Sequence, residues 1–263
     1  MARHRRPKVA FVLSGGGSLG AIQAGMLGAL YEREVHADLL VGTSAGALNG
    51  AFIASRPQTV ATADALGDVW RGLRRGQAFP LNPLTGLLGF LGARKNLVPA
   101  TPLRRLISRY ADCEQLEELP TELHVIACDM VNGEEVRLSE GPLVDGGALN
   151  NTPVAHALDL GADEIYVLSA AGPCALDEPP RGALGMVVQA TTLMVAHRFA
   201  EAAAALAGRS DVTVVPPPCP IHVSPMDFRH TSELIAKAEA AAGDFLDARE
   251  RERVVPLRRE ALS

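Results

Sequence analysis

Short apolar runs alternate along the chain with longer stretches whose apolar positions repeat at helical spacing. Val9-Ala10-Phe11-Val12-Leu13 is unbroken and of strand length, the pattern of a strand buried on both faces of a parallel sheet. It runs into Ser14-Gly15-Gly16-Gly17-Ser18-Leu19-Gly20, after which Ala21, Ile22, Gly25, Met26, Ala29 and Leu30 mark one face of a helix ending near Glu32-Arg33. Leu39-Leu40-Val41 predicts a second strand, then a turn at Gly42-Thr43-Ser44-Ala45-Gly46 and a helix through Phe52-Ile53. Further helices are expected over 58–71, from Thr101-Pro102, from Thr152-Pro153, over the alanine-rich 181–207 and over 231–248. Strands are expected at Leu123–Cys128, at Glu135–Leu138 after an Asn132-Gly133 hairpin turn, at Leu143-Val144, at Ile165–Leu168 and at Val212–Val215. Strands alternating with helices predict an α/β protein: three layers, α/β/α, around a central, mainly parallel sheet.

Composition narrows this picture. With 263 residues, 48% of them hydrophobic, the chain can bury one substantial core, and no linker or repeat divides it. A single domain over 1–263 is expected, its core at about 8–245 and a charged tail at 249–263. The net charge of -5, without a continuous basic face, argues against nucleic acid as a partner. Cys113, Cys128, Cys174 and Cys219 lie far apart with no ligand-pair spacing, so neither a zinc site nor a disulfide framework is expected. The apolar run after the basic start is too short for a signal peptide, and no run is long enough to span a membrane. The expected location is cytoplasmic, with any membrane contact peripheral.

Candidate chemistry sits where strands end. Gly42-x-Ser44-x-Gly46 between a strand and a helix has the form of a nucleophile elbow, with glycines relieving clashes in a tight turn and the serine presented at a helix N-terminus. Gly15-Gly16-Gly17, also between a strand and a helix, can turn backbone N–H groups toward a developing oxyanion. The same loop satisfies G-x-G-x-x-G, the dinucleotide-binding pattern, for which Glu34 or Asp38 would be the acidic partner. Asp38 precedes the second strand instead of ending it, which disfavours that reading. His197, His222 or His230 could complete a Ser-Asp-His order, yet none stands in a signature that points at Ser44; His124 and His156 read as ordinary packed or exposed residues. Asp145 ends an apolar strand and is followed by Gly146-Gly147, which permit close backbone approach.

Taken in order, Gly15-Gly16-Gly17-x-x-Gly20, Gly42-x-Ser44-x-Gly46 and Asp145-Gly146-Gly147 resemble the patatin-like phospholipase family, of the bacterial type. The likeness extends from about Lys8 to Phe245 and includes Asn151-x-Pro153. It implies Ser44 as nucleophile, Asp145 as its partner in a Ser-Asp dyad, an oxyanion hole from the Gly15 to Gly17 amides, and neither metal nor cofactor. Two departures stand out. Members commonly carry Arg or Lys where this chain has Leu19. Members also usually have a longer, proline-containing segment before the aspartate, where only Ser139-Glu140-Gly141 separates Leu138 from Pro142. Either one wall of the acyl pocket is absent or the protein carries residues beyond these.

The expected activity is cleavage of carboxylic esters of lipids, or of other carboxylic esters, through an acyl-serine. A carboxylate base suits an alcohol leaving group better than an amine. The alternative is a catalytically weak lipid- or protein-binding member. The apolar, Gly/Pro-broken stretch 79–93, with Trp70 beside it and Arg74, Arg75, Arg94 and Lys95 at its rims, is expected either to pack over the core or to form an interfacial flap.

Overall fold

The computed structural model describes residues 5–78, 115–128, 135–138, 144–145, 152–170 and 211–260, with a few single positions between 104 and 197. Its centre is β1 (Val9–Leu13), flanked in parallel by β2 (Leu39–Thr43) and, on the other side, by β6 (Glu164–Leu168). β3 (Glu122–Cys128) continues the parallel array beyond β2, and β7 (Val212–Val215) continues it beyond β6. Two strands run against this direction on β3: β4 (Glu135–Leu138) and the short β5 (Val144–Asp145). Among the described residues these form one seven-stranded sheet.

The central strands are apolar on both faces because both faces are covered. Alternate residues of β1 divide between two cores. Phe11 and Leu13 join Leu40 and α1 (Ile22–Tyr31), α2 (Ala45–Ala54), α3 (Val60–Gly72) and α6 (Thr231–Glu260) on one side. Ala10 and Val12 join Leu39, Val41, Ile126 and Val167 on the other, under Val154 and Ala157 of α5 (Val154–Asp159). Every residue of α1 is buried, so it lacks the polar stripe of a surface helix; α3 and α6 enclose the flank turned away from the sheet. These are the three α/β/α layers that the strand–helix alternation predicts.

Charged residues hold the N-terminal edge of the sheet. The Asp163 carboxylate accepts the Lys8 N–H at 2.6 Å and pairs with Arg5 at 2.9 Å. Asp38 accepts the Val9 N–H at 3.0 Å and pairs with Arg6. Asp38 is thereby committed to the start of β1, at the end of the sheet opposite the glycine loop, and is removed as the acidic partner of a dinucleotide.

Three expectations need correction. The C-terminal helix does not stop at 248 but continues to Glu260, so the tail is helical over 249–260. Cys219 is disulfide-bonded, although the cysteine spacing gave no sign of a disulfide framework, whereas Cys128 is a buried thiol. Trp70 is 4% exposed and part of the core, not bulk for a flap. After α3 the backbone forms one short further turn, α4 (Arg75–Ala78). The stretch 79–93, most of 181–207, and Gly146, Gly147 and Asn151 lie outside the described residues. No helix among the described residues is long and apolar enough to cross a membrane.

Candidate active site

Ser44 occupies the single position between β2 and α2, with φ 51° and ψ -119°. A non-glycine residue in the positive-φ region is strained by about 1–3 kcal/mol and persists only where its surroundings enforce it. Here α2 enforces it by seating its first turn directly on the end of β1. A Cβ on Gly46 would lie 2.1 Å from the Leu13 carbonyl oxygen, so only glycine permits the approach. Gly42 meets the same helix from the strand side, where a Cβ would stand 2.8 Å from Ala47. The consequence is a half-buried Ser44 at the N-terminus of a ten-residue helix, where the helix dipole favours developing negative charge.

The glycine loop leaves the neighbouring strand end. Gly15 is buried, and Gly16 and Gly17 are half-buried. Gly17 has φ +58°, and a Cβ there would lie 2.5 Å from the Pro225 carbonyl oxygen. The Ser18 N–H donates to that same oxygen at 2.8 Å, and the Leu19 N–H donates to Gly16 at 3.1 Å. No bond within the described residues engages the N–H groups of Gly16 and Gly17, which makes them the loop's candidate oxyanion donors.

Behind this loop runs a buried polar chain that the sequence reading missed. Trp70 Nε1 donates to Asn49 Oδ1 at 2.9 Å; Asn49 Nδ2 donates to the Gly20 carbonyl at 2.9 Å and to Gln23 Oε1 at 2.8 Å. Gln23 Nε2 then donates to the carbonyls of Ser14 at 2.8 Å and Leu168 at 3.0 Å. Gln23 and Asn49 are at most 1% exposed, and each uses both amide protons and its oxygen. The chain fixes the glycine loop to the ends of β1 and β6, to the elbow helix and to α3. Its signal in the sequence was a lone Gln and a lone Asn on otherwise apolar helices. Asn49→Leu removes three bonds and strands the Trp70 and Gln23 groups, so a loss of about 2–4 kcal/mol is expected. Thermal melts should fall by about 5–10 °C; a variant melting with the wild type would deny the chain any structural weight.

The backbone of Asp145 is positioned by β3. Ala127 pairs with Val136 of β4 on one edge and with Asp145 on the other, and that other edge is the one β2 occupies up to the pair Thr43–Ile126. Asp145 therefore takes the register position immediately past Thr43, where the chain turns into Ser44. The Ser44 turn and the Asp145 backbone, about a hundred residues apart in sequence, thus follow one another along the same edge of β3.

Residues 11–137 match the patatin-like phospholipase family. The patatin-like segment holds the glycine loop and the elbow; Asp145 lies beyond its C-terminal bound. Lysophospholipase nte1 of Aspergillus terreus is 28% identical over 178 residues, covering 61% of this chain and 12% of the fungal protein. Among solved structures, VipD from Legionella pneumophila is 16% identical, covers 91% of this chain and 66% of its own, and superposes with a TM-score of 0.47. The type III effector ExoU gives 18% identity, 93% and 54% coverage, and a TM-score of 0.39. The chain thus spans less than two thirds of each of these proteins.

His230, one of the histidines considered as a base, and His124, read as an ordinary residue, both have acidic neighbours away from the elbow. His124 Nε2 lies 2.8 Å from Glu122, toward the N-terminal half of β3. His230 stands 3.9 Å from Asp227 and 3.6 Å from Glu233 at the start of α6.

Proposed function

We propose that this patatin-like chain is a lipid acyl hydrolase in which Ser44 is the nucleophile, Asp145 its base, and the Gly15–Gly17 loop the oxyanion hole. The observation that carries the reading is the strained Ser44 elbow, with the Asp145 backbone one register step beyond Thr43. Ser44 Oγ attacks the ester carbonyl carbon while its proton passes to the Asp145 carboxylate. The carbonyl oxygen becomes an oxyanion held by the N–H groups of Gly16 and Gly17. Collapse breaks the bond to the alcohol, which leaves with the proton from Asp145, and Ser44 carries the acyl group. Water, deprotonated by Asp145, then attacks the acyl-Ser44 carbonyl; the bond to Ser44 Oγ breaks, Asp145 returns the proton to that oxygen, and the fatty acid leaves. The fungal relative's name, a lysophospholipase, supports a lipid ester as substrate. We propose that any contact with a lipid surface is peripheral, since no described helix is long and apolar enough to cross a membrane.

The test is fatty-acid release from lysophosphatidylcholine by the purified chain, together with labelling by a fluorophosphonate probe. Asp145→Asn should lower turnover by about 10³-fold or more, since the serine proton then has no acceptor. A wild-type chain that neither releases fatty acid nor takes up the probe would favour a lipid- or protein-binding role without catalysis.

A further inference from the structure

A cavity of about 610 Å³ opens against the flank of the glycine loop, within the size range of small-molecule sites. One wall is the segment around Pro225. On one side its carbonyl takes the Ser18 N–H and blocks any side chain at position 17; on the other, Ser224 and Met226 line the cavity. Phe228, also in the lining, stacks on Trp70 at 6.3 Å with an interplanar angle of 16°, and the Trp70 ring packs on Gly20. The cavity and the oxyanion loop therefore share their supports.

Its charge is one-sided. Arg71, Arg74 and Arg75, from the end of α3 into α4, face the lining together with Arg229, and Asp227 is the lone acid there among the described residues. Among the described lining residues, four arginines stand against one aspartate, a formal excess of three positive charges. Counting Asp68, which pairs with Arg71 at 2.6 Å, the excess is still two. Asp227 accepts from the Arg229 guanidinium and from the Arg229 backbone N–H, and these bonds hold its carboxyl far below the usual carboxylate range. It keeps its charge and braces the wall. Leu73 and Phe228 give the cavity an apolar floor.

We propose that this cavity binds the phosphate of a lipid head group, with the glycerol side of the lipid on the apolar floor. Planar guanidinium forks match phosphate oxygens two at a time, which neutral hydroxyls cannot do. Leu19 puts no charge beside the glycine loop, and the arginines at the end of α3 bring cations to that side instead. The role in turnover rests on the hydrolase reading; binding does not.

The experiment uses the full chain and Arg74→Gln/Arg75→Gln, both exposed positions, with the melting temperature of every variant measured alongside. Isothermal titration with glycerol 3-phosphate should show binding to the wild type, weakened about tenfold or more in the double variant and partly restored by Arg74→Lys/Arg75→Lys. In parallel, the KM for dihexanoylphosphatidylcholine below its micellar concentration should rise about tenfold, while hydrolysis of uncharged p-nitrophenyl butyrate stays within about twofold. No heat with glycerol 3-phosphate overturns the pocket whatever the hydrolysis. Equal binding of inorganic phosphate, with an unmoved phospholipid KM, overturns the head-group assignment. Glycerol 3-phosphate binding by a chain that hydrolyses neither ester supports the pocket and overturns the hydrolase reading instead.

Discussion

Ser44→Ala is expected to cut ester hydrolysis by about 10⁴-fold or more and to abolish fluorophosphonate labelling, because no other group stands at the elbow to accept the acyl chain. Stability should behave differently. Alanine keeps a Cβ at φ 51°, so the strain of the elbow remains, whereas glycine relieves it. Ser44→Gly should therefore be as inactive as Ser44→Ala but more stable, by about 1 kcal/mol, the strain that the position stores in the wild type. The measurements are p-nitrophenyl butyrate turnover and urea unfolding on the same preparations. An alanine variant retaining a tenth of wild-type activity would remove Ser44 from the mechanism, while equal stability of the two variants would mean that the turn is not strained.

Local patterns announced the parts of this molecule that are local. β1 and β2 are unbroken apolar runs because the sheet is covered on both faces, and the glycines at 42 and 46 are punctuation around a turn that only small residues permit. What escaped the sequence depends on partners far along the chain. Gln23 and Asn49 look like unremarkable helix residues until folding brings Ser14, Gly20, Leu168 and Trp70 around them. Trp70, next to an apolar and basic stretch, suggested surface bulk, yet its indole N–H has a buried acceptor and its ring a stacking partner in Phe228. The helix Thr231–Glu260 outruns the apolar periodicity that ends near Phe245, and Arg249-Glu250-Arg251-Glu252 carries it on with good helix formers that no apolar pattern marks. A motif nominated Asp145, but the position of its backbone one register step past Thr43 follows from strand pairing, which no local pattern contains.

Gly46→Ala should be the most damaging of the small substitutions. The new methyl would lie 2.1 Å from the Leu13 carbonyl oxygen, 2.5 Å from its carbon and 2.7 Å from the Ser14 oxygen. All three are backbone atoms at the end of the central strand, so no rotamer change can make room. The first turn of α2 must lift away from β1 by more than an ångström, carrying Ser44 with it and stretching the bonds from Asn49 to Gly20 and Gln23. Overpacking against fixed backbone costs about 3 kcal/mol or more, enough to lower the melting temperature by about 10 °C. Gly72→Ala is the control. It ends α3, has nothing within 4 Å of the added methyl, and should be neutral or stabilising by up to about 1 kcal/mol. On the proposed mechanism the displaced helix start carries the attacking Ser44, so the Gly46→Ala protein that remains folded at low temperature should also have lost about 10²-fold or more in kcat. Urea unfolding followed by circular dichroism, and ester turnover well below the transition, test both parts. A Gly46→Ala protein as stable as Gly72→Ala would mean that α2 is not seated on β1, and with it the geometric basis for placing Ser44 beside the glycine loop would go.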